Sequence, residues 1–465
     1  MSLFKRMVIL LGLVLTLTVP VRVQVLAQTI TNVNDGTTLK QIIIFGRHSI
    51  RSSVTDPSIL SQMAVDSYPS FNVPKGYLTP NGRRAEILLG SYYRKYLLQE
   101  GLLTGDTQKD TNRSYFRANS IQRSNITAAA FQAGLIPGSK MSVHSYPLGQ
   151  PDPVFDPILA KVVEVDPVRA ATEAQALFNS GAALASAYSG EYSLIRSVLF
   201  DYPLGTQPPP PTPPGLVDPT AQAITLTANT TPPLFTGGVV NYGGLGSVIN
   251  AIDPFVMQYA DGFPLEQVAW GRLTLDQLSQ QTRLTSLQFN IEMLSPYLNK
   301  VQSSNAASHV LRTMEQAVIS DYVPGAFGDA GSRMVVVISS DGYVAGLAGL
   351  LKVHWQLPGY QPDFCAPGGA LVFELRQSKR TKGYLVRVFY TAQTFDQLRN
   401  LTPLTIKNPP ATMQLLIPGG SKSATDLDVD FGLFQKLLRN AIGQKYVQDP
   451  SEETPPTVLT GVPTK

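Results

Sequence analysis

The stretch that decides the fold is QIIIF at residues 41–45, followed at once by GRHSIR at residues 46–51. Apart from its first residue, QIIIF is apolar and rich in β-branched side chains, which is typical of a short strand buried in a sheet. Gly46 ends this apolar run. Because ligands of open α/β sheets bind beyond the carboxyl ends of the strands, residues 47–51 are expected to lie at a binding site.

Residues 47–51 carry side chains that suit a phosphate group. The guanidinium groups of Arg47 and Arg51 are able to hold phosphate oxygens through paired, charge-assisted hydrogen bonds. The imidazole of His48, between them, is a competent nucleophile when it is neutral. These five residues alone leave an alternative open, which is a solvated loop that carries charges.

The chain on both sides of this loop contains strand and helix patterns. Thr79 as N-cap and Pro80 at the first helical position predict a helix that continues to Gln99. Further strands are predicted at residues 114–118, 334–338, 370–376 and 384–390, the last two as a hairpin, and further helices at residues 124–134, 344–351 and 431–442. We therefore predict a three-layer α/β domain with a mainly parallel central sheet.

The middle of the chain has a different pattern. It is helical in pattern from about residue 167 to 188, where alanine is frequent, and again from about residue 247 to 316. Between these stretches, residues 207–219 are dense in proline, which predicts a surface loop or linker. We predict that residues 161–325 form a helical subdomain inserted into the α/β domain, whose two parts are residues 28–160 and 326–446.

Both ends of the chain are predicted to lie outside the fold. Lys5 and Arg6 precede a mostly apolar stretch, and VLA at residues 25–27 is a small-residue cleavage pattern, so residues 1–27 are predicted to be a signal peptide. This predicts a periplasmic or secreted protein, and the alternative is an uncleaved membrane anchor. Residues 447–465 are rich in proline and threonine and are predicted to be a disordered tail.

The composition argues against several classes of protein. A chain of 465 residues, 43% hydrophobic and 15% charged, is expected to fold around a large core. Removal of residues 1–27 takes away Lys5, Arg6 and Arg22 and no acid, so the net charge falls from +4 to +1. Such a charge gives no support for binding nucleic acid or a membrane surface. The single cysteine, Cys365, excludes an intramolecular disulfide, and four scattered histidines predict no metal site.

Several segments, in order along the chain, resemble the characteristic motifs of one enzyme family. GRHSIRSS at residues 46–53 resembles the signature RHGxRxP, and GYLTPNG at residues 76–82 resembles the segment GxLTxxG. ANSIQRS at residues 118–124 is similar to the segment that supplies a third arginine, and SDGYVA at residues 340–345 stands where the family has a histidine–aspartate pair. The chain thus resembles the histidine acid phosphatases, in the branch of the phytases and glucose-1-phosphatases.

The resemblance implies a two-step hydrolysis of phosphate monoesters. His48 would attack the phosphate and become a phosphohistidine, and Asp341 would protonate the leaving alcohol and then help water to hydrolyse the intermediate. Arg47, Arg51 and Arg123 would bind the phosphate oxygens, on which transition-state charge is spread. No metal or other cofactor is implied. For Asp341, the alternative is a structural role as the N-cap of the following helix.

The sequence departs from the family pattern at four positions. Ser340 replaces a histidine that normally contacts the phosphate, and a neutral hydroxyl in a phosphate-binding role forms a weaker bond. Ser49 replaces a glycine, Ser53 a proline, and Tyr343 an asparagine of the phytases. The protein is then either an active phosphatase with a remodelled pocket or a weakened member that binds phosphorylated ligands and turns them over poorly. Because the nucleophile, the three arginines and the acid are all present, we favour the active enzyme.

The resemblance leaves the small-molecule substrate open between phytate and sugar phosphates, and it does not predict the oligomeric state. Phytate would need a wide basic pocket, for which Lys75, Arg83, Arg84 and Arg113 are candidates by position. Two other classes of protein are disfavoured. The predicted export and helical insertion argue against a phosphoglycerate mutase, and the spread of the 19 tyrosines along the chain argues against a carbohydrate- or peptide-binding surface protein.

Overall fold

The computed structural model describes residues 35–230 and 238–458, so the predicted signal peptide and the last residues of the predicted tail, 459–465, lie outside the described residues. The strands are Thr37–Arg47 (β1), Ser114–Ala118 (β2), His144–Ser145 (β3), Ile224–Ala228 (β4), Val240–Gly243 (β5), Met334–Ser339 (β6), Ala370–Ser378 (β7), Tyr384–Ala392 (β8), Ala411–Gln414 (β9), Val429–Asp430 (β10) and Thr457–Val458 (β11). The helices are Pro57–Leu60 (α1), Pro80–Gln99 (α2), Thr107–Thr111 (α3), Gln122–Leu135 (α4), Pro167–Phe178 (α5), Gly181–Ala187 (α6), Ser189–Leu199 (α7), Gly244–Ala260 (α8), Leu275–Leu294 (α9), Pro296–Ile319 (α10), Asp341–Leu351 (α11), Phe395–Arg399 (α12) and Phe431–Ala441 (α13).

The main sheet has nine strands within the described residues, in the spatial order β10-β8-β7-β1-β6-β2-β3-β11, with β9 paired to β8. Its central strands β1, β6, β2 and β3 run parallel to one another. The antiparallel strands β7, β8, β9 and β10 extend the sheet on one side, and β11 covers the other edge. The predicted α/β fold with parallel strands at the centre of its sheet is confirmed, and the predicted hairpin is the β7–β8 pair.

The QIIIF strand lies at the centre of three layers. Side chains of a strand alternate between the two faces of its sheet. Ile43 and Phe45 belong to the core on the face covered by α10 and α11, whereas Ile42 and Ile44 belong to the core on the face covered by α2 and α4. All four side chains are at most 2% exposed. Burial on both faces explains why this strand is a continuous apolar run.

Two glycines allow α2 and α4 to pack closely. A Cβ atom at Gly90 would lie 2.1 Å from the backbone oxygen of Phe131, and a Cβ atom at Gly134 would lie 2.1 Å from that of Ile87. Atoms in a packed interior do not approach so closely, so a side chain at either position would push the helices apart. The close packing also sets the position of the first turn of α4, which carries Arg123.

The stretch predicted as an inserted helical subdomain contains α5 to α10. It also contains a small two-stranded sheet of β4 and β5, which the helical pattern did not predict. Helix α10 packs against α9 and also against α11 and β1, so it connects this region to the α/β domain. In the proline-dense loop, Arg196 of α7 donates a hydrogen bond of 2.7 Å to the backbone oxygen of Pro210. The boundaries of the subdomain stay a prediction.

The C-terminal segment differs from the predicted disordered tail where the structure describes it. Residues 457–458 form β11, which pairs with β3. The hydroxyl of Tyr146 also donates a hydrogen bond of 2.6 Å to the backbone oxygen of Thr454. An edge strand presents unpaired backbone groups, and these bind the segment even though its composition is typical of an unfolded chain.

Candidate active site

The carboxyl ends of β1 and β6 lie side by side, and the residues that follow them form one cluster. Arg47 ends β1 and Ser339 ends β6, and the two are partners in the parallel ladder. The amide of His48 donates a hydrogen bond of 2.8 Å to the backbone oxygen of Ser339. This pairing brings residues 47–51 next to Ser340 and Asp341, at the edge of the sheet where an α/β fold binds its ligand.

His48 lies inside this cluster and is only 2% exposed. Its Nδ1 is 2.9 Å from the backbone oxygen of Ser49. Because a carbonyl oxygen only accepts hydrogen bonds, Nδ1 carries the hydrogen and Nε2 keeps its lone pair. Burial and the charges of three arginines hold the pKa of His48 well below its ordinary value of 6.5. These effects favour the neutral form of the ring.

The three arginines also share an unpaired hydrogen-bond donor. The Nε atoms of Arg47, Arg51 and Arg123 are buried and make no hydrogen bond within the described residues. A buried donor without an acceptor costs about 1–3 kcal/mol. Phosphate oxygens accept hydrogen bonds from guanidinium groups and carry the opposite charge. The structure thus brings together the three arginines that the sequence analysis selected, in a cluster suited to an oxyanion.

Arg123 comes from the first turn of α4, and its Nη1 donates a hydrogen bond of 3.3 Å to the backbone oxygen of Gly76. Gly76 begins the segment GYLTPNG, so this bond links two of the motifs found in the sequence. Burial, followed by the charge of Arg51, lowers the pKa of Arg123 to about 9. A guanidinium that its neighbours destabilise in this way is stabilised when an anion binds among them.

Arg47 and Asp341 form an ion pair between the two strand ends. Nη2 of Arg47 is 3.0 Å from Oδ2 of Asp341, and Nη1 of Arg47 donates to the backbone oxygen of Cys365. The N-cap position of α11 belongs to Ser340, and Asp341 is the first helical residue. The Asp341 carboxylate accepts a hydrogen bond of 3.1 Å from the amide of Gly342 and is 21% exposed. Its position is therefore that of a carboxylate beside the arginine cluster, not that of the N-cap.

Ser340 is buried, and its hydroxyl does not cap the helix that it precedes. His354 follows in the sequence, but it does not supply the imidazole that the family has at position 340. Its side chain is exposed, and its Nδ1 lies 2.8 Å from the Asp363 carboxylate. Within the described residues, the cluster therefore contains one imidazole, that of His48.

Asp253 is a residue of the site that the sequence analysis did not identify. It lies on α8, 202 residues from Arg51, and accepts two hydrogen bonds of 2.7 and 2.9 Å from the Arg51 guanidinium. Burial acts to raise the pKa of Asp253, but the ion pair with Arg51 outweighs burial, and the pKa lies below its ordinary value of 3.8. An acid in a helical pattern normally indicates a solvated charge. The one local signal is Pro254, since proline is unusual inside a helix.

A cavity of about 100 Å³ opens beside this cluster. Its charged lining residues form two pairs of opposite sign, Arg47 with Asp341 and Arg51 with Asp253. The remaining lining residues are neutral: Asn250, Thr282, Thr285 and Gln288 are polar, and Val54, Ile249, Ile252, Val256, Met257, Phe289 and Phe364 are apolar. The cavity therefore offers amide and hydroxyl groups and apolar surface, with no cation beyond the two paired arginines.

The four basic residues considered for a wide anion pocket do not line this cavity. Lys75 pairs with Asp56 at 3.3 Å, with about half of each side chain exposed. Arg83 and Arg84 are exposed on α2. Arg113 precedes β2, at the opposite end of that strand from the cluster.

Neither a metal site nor a membrane-crossing helix is found in the described ranges 35–230 and 238–458. No group of three or more histidine, cysteine, aspartate or glutamate side chains in these ranges is arranged to hold a metal ion. No helix there has both the length and the apolar character that crossing a bilayer requires. Cys365 is buried, and burial raises the pKa of its thiol, as expected of a structural cysteine.

Comparison with known proteins gives relatives that match most of the chain, although no family model matches it. The chain is 27% identical over 416 residues to the glucose-1-phosphatase of Providencia rettgeri, an alignment that covers 87% of this chain and 92% of the relative. It is 28% identical over 392 residues to the phytase AppA of Escherichia coli (strain K12), covering 82% of this chain and 87% of that one.

Solved structures agree with these relatives. The fold is similar to that of the Hafnia alvei phytase in complex with tartrate, with a TM-score of 0.78, 26% identity, and coverage of 89% of this chain and 99% of that one. The same phytase in complex with myo-inositol hexakis sulphate matches with a TM-score of 0.75, 25% identity and the same coverage. The arginine–histidine cluster at the end of β1 and these likenesses over most of its length agree with the resemblance of the chain to the histidine acid phosphatases. The relatives and structural neighbours are phosphatases and phytases, which hydrolyse phosphate monoesters.

Proposed function

We propose that the protein hydrolyses small phosphate monoesters through a phosphohistidine intermediate on His48, with Asp341 as the proton donor. One observation carries this proposal: the buried His48 ring, with its pKa held well below the ordinary value and the lone pair of Nε2 available, lies among three guanidinium groups whose Nε atoms have no acceptor among the described residues. A neutral imidazole beside preorganised cations combines a nucleophile with stabilisation of the charge that develops on phosphate oxygens.

In the first step, Nε2 of His48 attacks phosphorus while the bond from phosphorus to the ester oxygen breaks. The protonated carboxyl of Asp341 gives its proton to the leaving oxygen, which departs as an alcohol. Nδ1 keeps its hydrogen and donates it in a hydrogen bond to the Ser49 carbonyl oxygen, so the ring keeps its orientation as the new phosphorus–nitrogen bond forms. The guanidinium groups bind the oxygens of the transferring phosphoryl group.

In the second step, water attacks the phosphohistidine. The carboxylate of Asp341 takes a proton from this water, the phosphorus–nitrogen bond breaks, and inorganic phosphate leaves. Both the neutral ring and the protonated carboxyl are thereby restored. The contact of 3.0 Å between Nη2 of Arg47 and Oδ2 of Asp341 places the carboxyl next to the arginine cluster.

Arg51 has a second partner that shapes substrate binding. Asp253 holds the Arg51 guanidinium from the side of α8 by two hydrogen bonds. This pairing fixes the direction of the Arg51 guanidinium and also neutralises one positive charge of the cavity lining. We infer that the site favours a monoester whose alcohol part is uncharged and carries hydroxyl groups, which the neutral polar residues of the lining are able to bind.

The substrate preference gives an expected outcome. Glucose 1-phosphate should be hydrolysed with a kcat/KM at least about 10-fold higher than phytate, because the lining of the cavity supplies no free cation for further phosphate groups. The measurement is release of inorganic phosphate from both esters, and from p-nitrophenyl phosphate as a reference, between pH 3 and 8. Equal or better use of phytate would contradict this preference. Turnover of all three esters no higher than that of His48→Ala would favour the weakened, ligand-binding protein.

Export is a separate proposal. The basic residues, apolar stretch and small-residue pattern of residues 1–27 support a cleaved signal peptide and a periplasmic or secreted mature protein. The N-terminal sequence of the exported protein tests it, and a chain that begins at Gln28 is the expected result. A mature chain that still contains residues 1–27 would favour the membrane-anchor alternative.

A further inference from the structure

Two buried polar groups lie close to the loop that carries His48 and have no role in the chemistry described above. They are the hydroxyl of Ser49, which is fully buried, and the carboxyl of Glu86 on α2, which is 1% exposed. Ser49 Oγ and Glu86 Oε1 make no hydrogen bond to any other group within the described residues. If the two atoms stay unpaired, each destabilises the folded protein, because it loses its hydrogen bonds to water and gains no partner.

Both groups lie around Gly368, in the segment that leads to β7. A Cβ atom at Gly368 would be 2.3 Å from Oε1 of Glu86 and 3.6 Å from Oγ of Ser49. The amide of Gly368 donates a hydrogen bond of 3.1 Å to the backbone oxygen of His48. The Glu86 carboxyl is therefore packed against Gly368, whose amide binds the backbone of the proposed nucleophile.

No cation among the described residues neutralises Glu86. It forms no ion pair with any of them, and no charged side chain shifts its pKa. The titratable hydroxyl of Tyr390, on β8, lies beside the neighbouring Gly369. Burial raises the pKa of Glu86 to about 8, and only the Ser49 hydroxyl acts against this effect. The carboxyl is therefore protonated at acidic and neutral pH, and it has a hydrogen to donate.

We propose that Glu86 is a positioning residue for His48, which acts as a neutral acid whose O–H group donates a hydrogen bond to Ser49 Oγ. This bond joins the two otherwise unpartnered atoms and fixes the Ser49 residue, whose backbone oxygen binds Nδ1 of His48 at 2.9 Å. It thus supports the tautomer with a free lone pair on Nε2. Its neutrality matters as well, because a negative charge at this point would favour the protonated imidazole, which is no nucleophile. The proposal rests on the nucleophilic role of His48.

The catalytic arm of the test compares Glu86→Gln with Glu86→Ala at pH 5. The glutamine amide has the shape of the acid and an N–H donor, so kcat for p-nitrophenyl phosphate should stay within about threefold of the parent protein. Alanine removes the donor, and kcat should fall by roughly 10- to 100-fold with little change in KM. A glutamine variant as impaired as the alanine variant would overturn the proposal.

The second arm measures stability and does not depend on activity. The stability that the neutral acid contributes is complete below the pKa of an unfolded glutamate, near 4.5, and is lost as the pH rises through the folded value of about 8. Glu86→Gln has no such loss, so the melting temperature of Glu86→Gln minus that of the parent should increase by about 5 °C between pH 5 and pH 9. A difference that stays constant with pH would overturn the proposal.

Ser49→Ala completes the test as the matched partner variant. If the two side chains form one hydrogen bond, Ser49→Ala and Glu86→Ala should each lower the melting temperature, and the double variant should lower it by less than the sum of the two effects. Additive effects would overturn the bond. The same measurements in a His48→Ala background separate this proposal from the nucleophilic role of His48. The coupling between Glu86 and Ser49 should remain there, because their hydrogen bond does not depend on whether His48 is the nucleophile.

Discussion

His48→Ala is expected to lower kcat for p-nitrophenyl phosphate by about 10⁴-fold or more, because it removes the atom that we propose forms the covalent intermediate. Binding should be much less affected, since the three guanidinium groups proposed to hold the phosphate remain. Among the described residues, the buried ring makes one hydrogen bond, through Nδ1, so the variant should fold and show a melting temperature close to that of the parent protein.

His354→Ala is the matched control for this variant. His354 is the histidine that follows the Ser340–Asp341 pair in the sequence, but its side chain is 60% exposed and pairs with Asp363 outside the cluster. Its removal should leave kcat and KM unchanged within about twofold. Residual activity of His48→Ala within about 10-fold of the parent would mean that water attacks the ester directly and that no phosphohistidine is required.

Asp341→Asn is expected to show an effect that depends on the leaving group. For an alkyl phosphate, whose alkoxide is a poor leaving group, loss of the proton donor should lower kcat by about 10²–10⁴-fold. For p-nitrophenyl phosphate, whose phenolate leaves without a proton, the first step should continue, and the slow step becomes hydrolysis of the phosphoenzyme without a general base. Stopped-flow measurement should then show a burst of p-nitrophenol followed by slow turnover.

Asparagine suits this test because it keeps the size of Asp341 and retains an oxygen that accepts the hydrogen bond from Gly342. The two substrates serve as controls for each other, since a general loss of folding would reduce both rates alike. Equal losses for both esters and no burst would argue that Asp341 acts only through its ion pair with Arg47 and not as the proton donor.

Much of the α/β frame was predictable because its signals are local. The QIIIF run carries its own strand pattern, and the start of α2 is set by Thr79, whose Oγ1 accepts a hydrogen bond of 2.9 Å from the amide of Gly82. The arginine–histidine cluster was predictable for a related reason. Residues that directly follow β1 and β6 must meet when those strands run parallel and side by side.

The contacts that the sequence did not reveal join distant parts of the chain. Asp253 binds Arg51, 202 residues away in the sequence. Glu86 comes close to Ser49 only because α2 packs against the loop that follows β1. In the sequence each is one acid within a helical pattern, where a solvated surface position is the ordinary expectation. The described part of the tail was missed for a similar reason, because its order comes from pairing with β3 and not from its own composition.

The most direct test of the central claim is to trap the intermediate. The purified protein is mixed with p-nitrophenyl phosphate labelled with ³²P and quenched in alkali within milliseconds, since phosphohistidine survives alkali and not acid. The account predicts that the label is found on the peptide that contains His48 and is absent from His48→Ala. Rapid turnover without any labelled peptide, or label on a residue other than His48, would contradict it.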